Sequence, residues 1–246
     1  MKNPVQLRAN GRLFDQIRPF QVSWDPMDFA LSSLIVKTGK TSVLCSLSIE
    51  ESVPAWLEGQ GKGWLSAEYR LLPGSTPTRQ KRELLKLSGR TQEIQRLIGR
   101  SLRAVLDMKA LGEKTLLIDC DVIQADAGTR TASITGAWLV LAKGIERLIN
   151  KGVMNQNPLK SQVAAISVGL AKGLPLLDLD YNEDSSADVD LNVVMDSNRR
   201  LLEIQGTAEQ APFSRSELNT LLDLAQSGIE SLIEAQRSVL LEQESK

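Results

Sequence analysis

Hydrophobic and polar residues alternate along the first third of the chain in a pattern typical of β-strands. Alternation with a period of two predicts four strands, over residues 20–24, 32–36, 41–49 and 64–69. A turn-forming break at residues 38–40 predicts a hairpin between the second and third strands. Apolar residues then recur at helical spacing, so a helix is predicted over about residues 91–110.

The rest of the chain repeats this succession of strands closed by a helix. The pattern predicts a strand over residues 115–123 and a helix over residues 131–150. A group of strands follows over residues 163–205, and a last helix over residues 214–242. Breaks at residues 172–173 and 197–198 predict two hairpin turns. Ser214 and Glu217 form a capping box that predicts the start of the last helix.

The order of these elements predicts an α+β fold. Two β-α halves, over about residues 1–112 and 113–246, are expected to pack within one domain spanning residues 1–246. No linker rich in Pro, Gly or Ser separates the halves. Because 42% of the 246 residues are hydrophobic, the chain can bury a substantial core.

The residue types missing from the chain limit its chemistry. There is no histidine, which excludes Ser-His and Cys-His nucleophile pairs and histidine-bound zinc. Cys45 and Cys120 lie in separate apolar runs, so we expect two buried, reduced thiols rather than a disulfide. Any catalysis must use carboxylates, arginines, hydroxyls, backbone groups or a hard metal ion.

Charge and hydropathy indicate a cytoplasmic protein that does not enter a membrane. The first residues lack the apolar core of a secretory signal, and the longest strongly apolar run, around residues 137–142, is too short to cross a bilayer. The net charge is −1, so any nucleic-acid surface must be local.

An acidic stretch in the second half contains no Lys or Arg. Its six carboxylates belong to Asp178, Asp180, Glu183, Asp184, Asp188 and Asp190. A strand over residues 177–181 would point Asp178 and Asp180 outward and Tyr181 toward the core. A strand over residues 188–195 would align Asp190 with Asn192 on one face. Converging carboxylates without cationic partners repel each other, and Mg²⁺ or Mn²⁺ relieves that repulsion. A solvated acidic loop stays open as the alternative.

A basic stretch from residue 79 to residue 103 has eight Lys or Arg against two Glu, which fits a polyanion such as an RNA backbone. Three of these residues share one helical face, where solvation or internal ion pairs are the favoured interpretation: Arg96, Arg100 and Arg103. Three others precede the regular part of the helix and are better placed to meet a ligand: Arg79, Arg82 and Arg90.

A third stretch, Gly128-Thr129-Arg130, lies between a predicted strand and a predicted helix. Glycine allows close approach of the backbone to a ligand, and the helix N-terminus offers free N–H groups. The hydroxyl of Thr129 and the guanidinium of Arg130 are both suited to binding phosphate oxygens. The pattern matches neither a P-loop nor a dinucleotide fingerprint, so a simple strand-to-helix turn stays open as the alternative.

Together these stretches resemble the ribonuclease PH family over nearly the whole chain, about residues 7–240. The matching segments lie at residues 12–19, 59–64, 89–100, 119–126, 128–134, 183–185, 190–195 and 203–209. The resemblance implies a phosphate-dependent 3′→5′ exoribonuclease with a ribonuclease PH-like fold. Such an enzyme trims tRNA precursor 3′ ends, uses inorganic phosphate as co-substrate, releases nucleoside 5′-diphosphates and assembles as a homohexamer, a trimer of dimers.

The resemblance also assigns residues. Phosphate binding falls to Arg90, Gly128, Thr129 and Arg130. Asp184 and Asp190 are implied to be catalytic together with Arg90, and to hold Mg²⁺, with Mn²⁺ as the alternative. Either aspartate is a candidate for handling the proton of the leaving 3′-hydroxyl. RNA contacts fall to Arg79 and Arg82.

The sequence departs from the family pattern at four positions: Gly74 replaces an arginine, Pro77 a histidine, Ala127 a glycine and Ala9 a proline. Arg70 is expected to compensate in part for the arginine missing at Gly74. Two other functions compete with the enzyme: a non-catalytic, RNA-binding ring subunit of an exosome-like assembly, and a hydrolytic two-metal nuclease. The first would be expected to lose Arg90 or the aspartates, and the second gives the Gly-Thr-Arg segment no role.

Overall fold

The computed structural model describes residues 8–244, in which two β-sheets are packed with helices. The strands of the first sheet are β1 (Phe20–Trp24), β2 (Ser32–Thr38), β3 (Thr41–Glu50), β4 (Trp64–Leu71) and β5 (Thr115–Gln124). Their spatial order is β1-β2-β3-β5-β4, with β4 parallel to β5 and the other pairs antiparallel. A single 3₁₀ turn at Ala55–Leu57 precedes β4.

The second sheet is antiparallel throughout. Its strands are β6 (Val163–Ala171), β7 (Leu174–Leu177), β8 (Val189–Asp196) and β9 (Leu201–Ala208), in the spatial order β7-β6-β8-β9. The sequence boundary expected near residue 112 precedes β5, which pairs with β3 and β4 of the first sheet. The two sheets therefore occupy residues 20–124 and 163–208.

The helices are α1 (Gly89–Ala104), α2 (Met108–Leu111), α3 (Thr129–Asn150), α4 (Tyr181–Asp184) and α5 (Arg215–Glu244). The first sheet packs against α1 and α3, and the second against α5 and the other side of α3. Because α3 contacts both sheets, its side chains are buried nearly all round. Gly144 allows this closeness, since a Cβ there would lie 2.3 Å from Leu47 Cδ2.

The predicted α+β class and the predicted order of long elements are confirmed, and the last helix begins with the Ser214–Glu217 capping box. The helix predicted over residues 91–110 is divided into α1 and α2. The division occurs because Asp107 has an extended backbone and caps α2, accepting hydrogen bonds from the N–H groups of Lys109 and Ala110 at 2.9 and 3.3 Å.

The conditional strand over residues 177–181 is wrong. β7 ends at Leu177, and Asp178 has a φ of 52° that no strand allows. Asp178 points inward with 2% exposure and Tyr181 outward with 56%, the reverse of the expected pattern. The strand over residues 188–195 is confirmed as β8, with Asp190 and Asn192 on its half-buried face.

The two thiols are buried and free, as expected, with Cys45 Sγ 3.9 Å from Cys120 Sγ across the paired strands β3 and β5. No helix within residues 8–244 combines the length and the apolar character needed to span a membrane.

Candidate active site

A cavity of about 660 Å³ lies where the start of α3 meets α4 and β8. Six of the eight predicted site residues line it: Arg90, Gly128, Thr129, Arg130, Asp184 and Asp190. Arg79 and Arg82 are not among the lining residues and lie exposed on the segment that leads into α1. Their neighbours Thr78 and Gln80 reach the cavity, so the two arginines stand near its rim.

The loop before α3 presents backbone N–H donors to the cavity. Gly128 is the N-cap of α3, with a left-handed φ of 64° and no side-chain cap. The first N–H groups of the helix have no intrahelical acceptor and lie at the positive end of its dipole. A Cβ at residue 128 would lie 2.8 Å from Arg18 Nη2, so both conformation and space require glycine. This loop is suited to an oxyanion.

The hydroxyl of Thr129 is positioned by a tyrosine that the sequence did not reveal. Tyr69 on β4 is fully buried, and its hydroxyl donates to Thr129 Oγ1 at 2.8 Å. Burial raises the pKa of Tyr69, which keeps the phenol protonated at neutral pH. Because Thr129 Oγ1 accepts this bond, its own proton can be donated to an anion in the cavity.

Two arginines bring positive charge to the cavity. Arg130 Nη1 donates to Gln205 Oε1 at 2.8 Å and lies 3.4 Å from Glu93 Oε1. Its Nε and Nη2 groups make no hydrogen bond within the described residues, so one edge of the guanidinium can bind phosphate in a bidentate manner. Arg90, the second residue of α1, is exposed and has no ion pair with any residue of the range 8–244.

Most of the acidic stretch is structural. Asp178 accepts hydrogen bonds from Arg18 Nη2 and Nε at 2.7 and 3.0 Å. Glu183 accepts from Arg8 Nε at 2.7 Å and pairs with Arg12 at 3.2 Å. The expectation that the stretch lacks cationic partners is therefore wrong for these two carboxylates. The partners come from the segment before β1, which is distant in sequence and packed against the stretch in space.

Of the four other carboxylates of the acidic stretch, two make structural contacts and two line the cavity. Asp180 caps α4, and Asp188 accepts a hydrogen bond from the Lys172 N–H at 2.9 Å. Asp184 and Asp190 are left to face the cavity, with no ion pair to any described residue.

Burial and mutual repulsion shift the ionisation of these two aspartates. Burial, followed by the charge of Asp184, raises the pKa of Asp190 to about 6. Burial also raises the pKa of Asp184, while Arg90 and Arg130 oppose the shift. Asp190 Oδ2 accepts a hydrogen bond from Asn192 at 3.3 Å, whereas its buried Oδ1 has no partner among the described residues.

The pair Asp184 and Asp190 fits a hard cation. No cluster of three or more carboxylate or thiolate side chains able to hold a metal occurs between residues 8 and 244. Two carboxylates suffice for Mg²⁺, because this ion retains waters and takes further ligands from substrate phosphates. The unsatisfied Oδ1 of Asp190 is the atom that such an ion would satisfy.

Ala127 stands in the loop before α3, at a position where the family pattern has a glycine. Ala127 has a φ of 55°, the left-handed conformation that glycine favours. Its carbonyl accepts from Thr41 Oγ1 at 2.6 Å, and that hydroxyl accepts from the Asp126 N–H at 3.0 Å. Arg18 Nη1 donates to the Asp126 carbonyl at 2.6 Å. These contacts hold the alanine in a conformation it would otherwise avoid.

Arg70, expected to compensate in part for the arginine missing at Gly74, is held on β4. Its guanidinium donates to Glu68 at 3.0 Å, to the Tyr69 carbonyl at 2.8 Å and to Gln95. The side chain does not line the cavity, and its compensating role stays a prediction.

Two arginines of the predicted basic helical face make internal contacts. Arg100 pairs with Glu203 on β9, and Arg103 stacks over Trp64 at 4.6 Å from the ring centre. This agrees with the interpretation favoured for that face.

A loop suited to an oxyanion and two carboxylates that line one cavity are typical of enzymes that act on phosphate esters. The model of the 3′ exoribonuclease family matches residues 16–144 with its domain 1 and residues 161–228 with its domain 2. The chain belongs to the 3′ exoribonuclease family.

Within this family, curated relatives of high similarity to the chain are ribonuclease PH enzymes. The ribonuclease PH of Prochlorococcus marinus strain MIT 9313 is 70% identical over 99% of this chain and 100% of its own length. That of Acaryochloris marina strain MBIC 11017 is 57% identical over 95% of this chain and 98% of its own. The predicted activity, a phosphate-dependent 3′→5′ exoribonuclease of the nucleotidyltransferase type, is confirmed.

Solved structures agree on the fold. Rice (Oryza sativa) Rrp46 superposes with a TM-score of 0.78 at 18% identity, over 95% of this chain and 100% of that one. A chain of the Archaeoglobus fulgidus exosome with RNA bound to the active site gives 0.77 at 18% identity, over 93% and 92%. The predicted ribonuclease PH-like fold is confirmed.

Proposed function

We propose that this chain trims the 3′ ends of tRNA precursors in the cytoplasm, passing each terminal nucleotidyl group to inorganic phosphate. One observation carries the proposal. The loop suited to an oxyanion lines the same cavity as Asp184 and Asp190, the two carboxylates of the acidic stretch that reach this cavity. A site for the attacking phosphate and a site for the scissile phosphate thus share one cavity.

Binding of phosphate falls to the cationic and hydrogen-bond-donating groups of that cavity. Arg90 and the free edge of Arg130 supply charge, while Thr129 and the N–H groups at the start of α3 donate hydrogen bonds. Phosphate is mostly ionised at neutral pH, so it needs orientation and charge compensation rather than a base to activate it. An oxygen of phosphate bonds to the scissile phosphorus, and the bond to the 3′ oxygen breaks. The attacking phosphate gives up a proton and the 3′ oxygen takes one up, with Asp184 or Asp190 as the candidate carrier, and a nucleoside 5′-diphosphate leaves.

The two aspartates of the cavity would help to compensate the negative charge that this attack concentrates. Asp184 and Asp190 would hold a Mg²⁺ ion, with Mn²⁺ as the alternative, and such an ion would supply positive charge to stabilise the transition state. Asn192 fixes the orientation of the Asp190 carboxylate. Arg79 and Arg82, exposed near the rim, would contact the RNA backbone outside the cavity.

A homohexamer, arranged as a trimer of dimers, is the proposed assembly. Support comes from apolar side chains that a lone chain leaves in water, such as Phe14, Phe29 and Leu85. Sedimentation at several protein concentrations tests this, since a monomer throughout would contradict it.

The enzyme is tested with a tRNA precursor that carries a short 3′ tail, incubated with Mg²⁺ in the presence or absence of inorganic phosphate. Nucleoside diphosphates are expected only with phosphate. Arg90→Ala and Asp184→Asn should each lower the rate by about 10²-fold or more. Arg96→Ala is the matched control, because it removes an exposed arginine of the same helix outside the cavity.

Two other outcomes would contradict the proposal. Release of nucleoside monophosphates in the absence of inorganic phosphate would mean that the enzyme hydrolyses RNA. The loop before α3 would then have a role other than binding the attacking phosphate. RNA binding without any release would favour the non-catalytic ring subunit.

A further inference from the structure

Tyr181 is an exposed aromatic residue on the wall of the cavity, and the reaction as described gives it no role. Its side chain is 56% exposed, and it lines the cavity together with Asp184. The two residues are three positions apart in α4, and side chains with that spacing lie on one face of a helix. The ring therefore stands beside the carboxylate proposed to face the scissile phosphate.

The backbone beneath Tyr181 is firmly held. Asp180 caps the turn, accepting from the Glu183 N–H at 3.1 Å, and its other oxygen accepts from Asn10 at 2.8 Å. Glu183 is held in turn by Arg8 at 2.7 Å. A tyrosine has only two side-chain torsions to order, so a ring on this support can receive a ligand at little entropic cost.

The ring also differs from everything else that lines the cavity. Among the lining residues in the described part of the chain, Tyr181 is the aromatic one. Its hydroxyl makes no hydrogen bond to any residue from 8 to 244, and no second ring packs on it. An exposed, unpaired aromatic face beside phosphate-binding groups is suited to a flat aromatic ligand joined to a phosphate, which is the chemistry of a nucleotide.

We infer that Tyr181 is the stacking platform for the base of the 3′-terminal nucleotide. The inference rests on the proposed function and specifies how the site grips its substrate. An exonuclease that removes successive nucleotides must accept all four bases, and stacking is tolerant because every base has an aromatic face. The terminal nucleotide is the one concerned, because the chain end must enter the cavity to bring its phosphodiester to Asp184.

The test combines a change in the enzyme with a change in the substrate. Wild type, Tyr181→Phe and Tyr181→Leu are compared on RNA with an intact 3′-terminal base and on RNA whose terminal sugar lacks its base. On intact RNA, Tyr181→Leu should lower kcat/KM for RNA about tenfold, within the range expected for loss of one stacked base. Tyr181→Phe keeps the aromatic face and should stay near wild type, and the KM for phosphate should not change.

The abasic substrate makes the test decisive. Wild type should have a low kcat/KM on the abasic RNA. Tyr181→Leu should not lower kcat/KM any further on this substrate, because the terminal base that would stack on the ring is already absent. An equal loss on both substrates would show a merely structural effect and overturn the inference. So would a pattern in which removal of the penultimate base, and not the terminal one, cancels the effect.

Two controls separate this inference from the proposed function. Trp56→Leu removes an exposed aromatic ring outside the cavity and should leave kcat/KM for RNA unchanged. If wild type releases no diphosphate at all, the proposed function fails, whereas RNA binding measured by fluorescence anisotropy still tests stacking. Equal affinity of wild type and Tyr181→Leu for intact RNA would then overturn the inference by itself.

Discussion

Arg18 and Asp178 form a buried ion pair that joins the two stretches lining the cavity. Arg18 Nη2 lies 2.7 Å from Asp178 Oδ1, and Nε lies 3.0 Å from Oδ2. The third nitrogen, Nη1, donates to the carbonyl of Asp126 at 2.6 Å. Asp126 directly precedes Ala127 and Gly128, the loop before α3. One guanidinium thus fixes the acidic stretch against the loop proposed to bind phosphate, although it does not line the cavity itself.

Loss of this guanidinium should destabilise the protein strongly. Arg18→Met leaves Asp178 as a buried charge without its main partner, and we expect a loss of about 3–5 kcal/mol in the free energy of unfolding, measured with urea. Adding Asp178→Asn removes that charge and should restore part of the loss. If the double variant loses as much as the two single variants together, the residues are not coupled.

The bond from Tyr69 to Thr129 predicts a selective effect on phosphate. Tyr69→Phe removes the donor that orients the Thr129 hydroxyl, at a cost of about 1 kcal/mol or a fivefold rise in the KM for phosphate. The KM for RNA at saturating phosphate should stay constant. In a Thr129→Val background the same change should have no further effect on phosphate, and a further rise would mean that Tyr69 acts through another group.

Local pattern was enough to predict most of the fold. The strand and helix periods are properties of neighbouring residues, and they located every long element. The segment around Asp178 failed because its conformation depends on Arg18, which lies 160 positions away. A contact between residues so far apart in the chain leaves no periodic pattern in the sequence. The alternation of apolar and polar residues over 177–181 therefore predicts a strand with Tyr181 in the core, which the structure does not have.

The candidate site follows the same division. Arg90, the Gly-Thr-Arg segment and the two aspartates were named from their residue types and from the family pattern. Their supporting residues were not, since Tyr69 appears in the sequence as an ordinary apolar core position and Gln205 as a surface strand residue. Both act on the site only through tertiary contacts, at 2.8 Å to Thr129 and to Arg130.

Ala127 offers a stabilising substitution. Its φ of 55° costs an alanine about 1–2 kcal/mol, and Ala127→Gly removes that cost while adding freedom to the unfolded chain. We expect a net gain of about 0.5 kcal/mol, seen as a Tm higher by about 1–2 °C. Ala125→Gly, in the same loop but without a positive φ, is the matched control and should lower Tm. Equal effects at the two positions would show that Ala127 is not strained.

Asp190 predicts a pH dependence whose sign can be worked out. Its folded pKa of about 6 lies above the ordinary 3.8, so between these values the folded state binds more protons than the unfolded state, and stability falls as pH rises. Above pH 6 the buried charge is a full cost, and Asp190→Asn removes it. Relative to wild type, the variant should therefore gain about 2 kcal/mol more at pH 7.5 than at pH 4.5.

Urea unfolding at both pH values, with EDTA and without phosphate, measures this difference. Asp223→Asn on the exposed surface of α5 controls for the loss of one negative charge. Adding Mg²⁺ at pH 7.5 should stabilise wild type and narrow the gap to Asp190→Asn, because the variant has lost a carboxylate for the ion. A gain that is equal at the two pH values would mean that the Asp190 carboxylate is solvated, and the unsatisfied Oδ1 would then no longer support a cation at this site.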